Sequence, residues 1–310
     1  MVERDFLVGH HVEPNGKRKT ATKTTLDEIE LLRPELPRSG SFGRPTLVGR
    51  PTSKDAHGFE IGIPRANAYT AMTTTTFPLP KMKRLREQAA EAAHSDADPP
   101  EGWSKSIVDP MGVLAVFKTL RLKAGFVLRG YQFCEGGNGN GFVWAMPADA
   151  PFPDPYECPR LEHVFFSPAK PLAALDDLME AIDGDGTLWS YLCASLFCRE
   201  IGEFGAMWHG CSWGTHAILD KNPLKARRSQ QHGFDRPFGA AGEWTWTKPE
   251  PAVWKPQVME EGDSISVVFL TFSGHDVETV YRHTDKFRRG SYQFETERKE
   301  IATGPGGFVF

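Results

Sequence analysis

Residues 207–216 read MWHGCSWGTH. The stretch gathers Trp208, His209, Cys211, Trp213 and His216. Residues of these types support three kinds of chemistry. A thiol between small residues becomes a nucleophile when a nearby histidine or helix N-terminus lowers its pKa. His and Cys side chains are zinc ligands, and zinc takes four in a tetrahedron. Trp rings interleaved with His and carboxylates line sites for planar, sugar-like or cationic ligands.

The nucleophilic reading makes Cys211 the attacking group and His209, His216, His275 or His283 its base. The Cys211–Trp213 spacing is similar to that around the nucleophile of papain-like cysteine proteases. The similarity covers only a few residues and departs from the family pattern, so no role is carried over. The zinc reading would add Cys193 and Cys198 to His209, Cys211 and His216. Those two cysteines lie five apart in a helical pattern, which turns them to different faces. No C-x-x-C accompanies them, and no metal is assigned. The pocket reading takes Trp208, Trp213, Trp244 and Trp246 as walls, with Glu203 and Glu243 supplying charge. It places a cleft near 204–216, 243–254 and 275–283. Ordinary packing competes with it, since EWTWT puts Trp244 and Trp246 on one face of a strand.

The expected function is therefore a small-ligand or partner-binding protein with a Trp/His-lined cleft. The alternative is a Cys/His-dependent hydrolase or transferase with Cys211 as nucleophile. A weaker alternative is a structural or assembly protein acting through its N-terminal arm. Enzymatic status stays open and the cofactor stays unknown.

Three other motifs read as structure. GGNGNG at 136–141 lacks the Lys and spacing of a phosphate loop and reads as a loose hairpin tip. DGDGT at 183–187 lacks the later acidic ligands of a calcium loop and reads as a helix–helix turn. YRHTDKFRRG at 281–290 reads as a charged surface turn, although on a strand His283 and Asp285 would share a face.

Elements must position these groups. Residues 1–100 read as an extended Pro-, Thr- and Gly-rich arm with one or two short helices, one of them at 81–94. Residues 101–310 read as the core domain. Strand patterns at 120–133, 141–146 and 161–166 precede helical patterns at 171–183 and 188–204. Strands return at 243–247, 264–272 and 291–297, with a short helix expected between the last two. Strands, then helices, then strands predict an α+β fold. Its sheet would be mainly antiparallel or mixed, with two or three packed helices.

Composition bounds the rest. A chain of 310 residues with 40% apolar residues, 21 Phe and 8 Trp can bury a large core. A net charge of −4 argues against a nucleic-acid partner. No apolar run approaches the roughly 20 residues of a membrane helix. Five scattered Cys and no apolar leader predict a reduced, cytoplasmic setting. Partners would be a small molecule or a protein, with homo-oligomer formation left open.

Overall fold

The computed structural model describes residues 72–95, 97, 99–162, 167–207, 211–223, 244–304 and 306–307. The chain divides into two units, Met1–Arg65 and Ala66–Phe310. The first lies outside the described residues, as do Trp208, His209 and Glu243 and residues 163–166 of the strand expected at 161–166.

The second unit is α+β. In chain order its elements are β1 (Thr73–Thr76), α1 (Leu79–Ala92), β2 (Gly102–Lys105), α2 (Pro110–Val116), β3 (Leu120–Leu122), β4 (Phe126–Glu135) and β5 (Asn138–Pro147). There follow β6 (Ile182–Gly184), α3 (Leu188–Gly202), β7 (His216–Leu219), β8 (Thr245–Trp246), β9 (Gln257–Glu261), β10 (Ser264–Ser273), β11 (Thr279–Arg288) and β12 (Phe294–Thr303). The main sheet runs β1-β9-β10-β11-β12-β8, all antiparallel. One edge of β10 is shared: Ser264–Val268 pair with β9, and Leu270–Ser273 pair with β7. Smaller antiparallel sheets join β2-β4-β5 and β3-β6.

The central helix forms where its sequence stops and starts it. Thr187 Oγ1 accepts a hydrogen bond from Ser190 N, capping the first turn of α3. Beyond the cap the helix is apolar around most of its surface, and Tyr191, Leu192, Leu196 and Phe197 are fully buried. Each such side chain contributes on the order of 1.5–3 kcal/mol by leaving water. The helix packs against β5, β9 and β10, burying Ile265, Val267 and Phe269 of β10 in the same cluster. The alternate residues Leu270 and Phe272 join Val280, Trp254 and Ile301 in a second cluster, against which Trp244 and Trp246 pack. Alternation along one strand thus builds two cores.

Helix α1 belongs to this body. Its buried residues Met82 and Ala89 are seven apart, on one face, and join the core of α2 and α3. It lies within the stretch 1–100 that reads as an arm in sequence.

Three local expectations are corrected. The helix expected at 171–183 is absent: Leu172 is 92% exposed, and only Leu178–Ala181 form a 3-10 turn. Asp177 caps that turn through Met179 N, and Ile182–Gly184 leave to pair with β3. An aspartate favours the cap over a helix interior, and sheet pairing overrides the apolar spacing. The short helix expected after residue 277 is strand β11. Its polar inward positions hide the period-2 signal. The hairpin tip is tight rather than loose. Gly136 and Gly137 alone make the turn, with φ of 56° and 84°, and Asn138–Gly141 already belong to β5. Two positive φ values in a two-residue hairpin loop suit glycine and match strand twist.

Candidate functional site

The glycines of β5 permit the approach that builds the site. A Cβ at Gly141 would lie 2.2 Å from Phe204 O. Only glycine lets the chain leaving α3 come this close. Met207 N then donates to Gly139 O at 2.9 Å, fixing residues 204–207 against the start of β5. Gln132 lies on the β4 face shared with buried Leu128, beside Gly205.

Between this segment and α1 opens a cleft of about 620 Å³. Its apolar wall includes Ala89, Ala93, Ile107, Val108 and Ile218. Its polar groups are Gln132, Glu200, Glu203, Arg86 and Ser95, with Lys83, Glu87 and His94 at the exposed rim. The volume falls within the range of small-molecule sites.

Arg86 ties the two walls together. Its Nε donates to Glu200 Oε1 at 2.7 Å and its Nη2 to Trp213 O at 3.1 Å. Nη1 donates to His216 O. The guanidinium sits 4.3 Å from the Trp213 ring centroid, a cation–π arrangement. Trp213 Nε1 donates to the same Glu200 oxygen at 2.7 Å. Glu203 organises the loop. Its Oε1 accepts from Ser212 N and Trp213 N, and its Oε2 from Gly214 N. Burial raises the Glu203 pKa, opposed by these three backbone donors, and the nearby Glu200 raises it further.

Behind this wall the expected aromatic and histidine residues are packed as core. Trp213 is 8% exposed and His283 3%. Thr271 Oγ1 lies 2.9 Å from both His216 Nδ1 and His283 Nε2. The His283 ring stacks on Phe269 at 4.9 Å between centroids. One hydroxyl bridging two imidazoles can donate to one ring nitrogen and accept from the other ring's N–H, an arrangement in which the accepting ring is neutral. Burial is the first cause that lowers the His216 pKa, to about 4, helped by Arg298, Arg86 and Arg199. His283 is lowered further, by burial and then by Arg199.

The sequence-derived site residues therefore divide. Glu203 lines the cleft. Trp213 and His216 stand behind it, held by Arg86. His283 lies deeper in the sheet. Trp246 packs edge-on against Trp254 at 6.4 Å, and Trp244 packs against Phe272 at 6.3 Å, both in the second cluster. Cys211 is half-buried, and burial and the Glu203 charge both push its thiol pKa up. A nucleophilic cysteine needs the opposite shift. Cys193 and Cys198 are pushed up to about 11 by burial. Among the described residues no group of three or more His, Cys, Asp or Glu converges as a metal site. Sequence reading missed Gln132, Arg86 and Glu200. The only signal was the i, i+3 spacing of Glu200 and Glu203 near the end of an apolar helix.

Compared with models of protein families, with curated proteins and with solved structures, the chain matches none. Among the described residues no helix is long and apolar enough to cross a membrane.

Proposed function

We propose that this chain binds a small ligand in the cleft between α1 and the C-terminal end of α3. The observation that carries the reading is the cleft's make-up. An apolar wall from α1, residues 107–108 and β7 faces a few convergent polar groups, Gln132, Glu200 and Glu203. That combination suits a small molecule with an apolar body and a polar end. The site uses the 204–216 region singled out in sequence, with Trp213 supporting the wall rather than touching the ligand. The 243–254 and 275–283 regions contribute the second cluster and the buried histidines instead.

Tryptophan fluorescence tests the proposal. The Trp213 indole donates to a cleft carboxylate, so a ligand reaching Glu200 perturbs its emission. A panel of small metabolites should contain members that shift emission saturably. Trp213→Phe should remove most of that shift. Saturable binding that leaves emission unchanged would place the ligand elsewhere.

A further inference from the structure

Resting on the ligand-binding reading above, we infer that the cleft selects a small primary amine, bound as its ammonium ion, with a short aliphatic body. Three features point to that class. Gln132 is 6% exposed, and its Oε1 is buried without a partner among the described residues. A buried acceptor left unpaired costs on the order of 1–3 kcal/mol, and a ligand N–H removes that cost. Gln132 is one of the residues that line the cleft, and rotating its terminal amide exchanges the positions of Nε2 and Oε1.

The charge balance selects the donor. At the rim, Lys83 and Glu87 lie one helical turn apart and offset each other. Deeper, Arg86 is matched by Glu200 at 2.7 Å. Glu203 remains, meeting among the described residues backbone N–H groups and the like charge of Glu200 rather than a cation. Among the described residues the interior thus pairs two carboxylates with one guanidinium, and His94 lies at the exposed rim. An ammonium supplies three donors and the missing charge. Burial already pushes the Glu203 pKa up, and a cation in the cleft reverses that shift.

The remaining surface defines the body of the ligand. Ala89, Ala93, Ile107, Val108 and Ile218 offer aliphatic contact, and no Phe, Tyr or Trp lines the cleft among the described residues. A short alkyl chain fits this wall, which itself offers a planar aromatic no ring to stack on.

The test compares n-butylammonium chloride with sodium butyrate, matched in length and opposite in charge. Binding to the full chain is followed by ligand-observed NMR, at one pH and ionic strength. The expected result is saturable binding of butylammonium and weaker or no binding of butyrate. Glu203→Gln should weaken butylammonium by about tenfold, the loss of one charge-assisted partner. Gln132→Met should weaken it as well, and Ala90→Phe, at an exposed position on the cleft wall, should abolish it. Butyrate binding the tighter, and lost in Ala90→Phe, would overturn the amine assignment while keeping the cleft as the site. Absence of binding by both probes would overturn the amine assignment and count against the cleft itself.

Discussion

Arg199 and Asp285 meet through two parallel hydrogen bonds inside the protein, Nη1 to Oδ2 at 2.7 Å and Nη2 to Oδ1 at 2.8 Å. Asp285 is 0% exposed. Ser195 Oγ donates to its Oδ2, and Thr296 Oγ1 donates to its Oδ1 at 2.7 Å. Helix α3 is thereby fixed to β11 and β12 at one point. A buried pair of this kind is strongly destabilised when one partner is removed. Asp285→Ala should cost about 3–5 kcal/mol in urea unfolding. The paired change Arg199→Met with Asp285→Leu should recover much of that loss, because no charge is then stranded. A single variant as stable as the parent would contradict the assigned role.

Acid should weaken the fold through the histidines. The unfolded imidazoles titrate near 6.5, whereas burial holds His216 down to about 4 and His283 lower. Between those values the unfolded chain takes up protons that the folded chain refuses. The stabilisation is complete above pH 6.5 and is lost as pH falls through about 4. His216 alone accounts for about 3 kcal/mol over that window. Urea midpoints measured from pH 7 downward should fall, and His216→Asn should make the slope shallower. An unchanged slope in the variant would remove His216 from the explanation.

Cys211 should behave as an inert thiol. Burial and Glu203 both disfavour its thiolate, and the thiolate is the species that reacts. Iodoacetamide should label Cys211 more slowly than free cysteine near neutral pH, with mapping by mass spectrometry. Labelling faster than free cysteine would restore the nucleophile reading.

The close approach at Gly141 yields a fourth expectation. An added methyl would meet Phe204 O at 2.2 Å, so backbone must move. Gly141→Ala should destabilise by about 1–3 kcal/mol. Because residues 205–207 line the cleft, ligand binding should weaken in the same variant. A fully stable Gly141→Ala protein would contradict the packing described.

The sequence shows much of the scaffold and little of the cleft. Helix α3 and strand β10 are legible because long apolar runs with a Thr cap or a strand period leave few alternatives. Strand β11 is not, because its inward positions include His283 and Asp285, which read as surface groups until Thr271 and Arg199 are found opposite them. The 171–183 segment misleads for the opposite reason. Its leucines keep helical spacing, but Asp177 takes a capping role and the chain turns away to join β3. Glu203 stands out beside the Trp-rich stretch. Gln132 carries no local signal, since its burial depends on the chain after α3 folding back to set Gly205 beside it. Arg86 reads as one of several solvated cations on α1 until Glu200 and the Trp213 ring are placed beside it.

The most direct test of the central claim is native mass spectrometry of the full chain and of Ala90→Phe, each equilibrated with the same pool of small metabolites. Circular dichroism establishes first that both are equally folded. The account predicts a non-covalent small-molecule adduct on the parent that is lost on denaturation and missing from the variant. A bare mass for the parent, or an adduct that survives Ala90→Phe, would contradict ligand binding in this cleft.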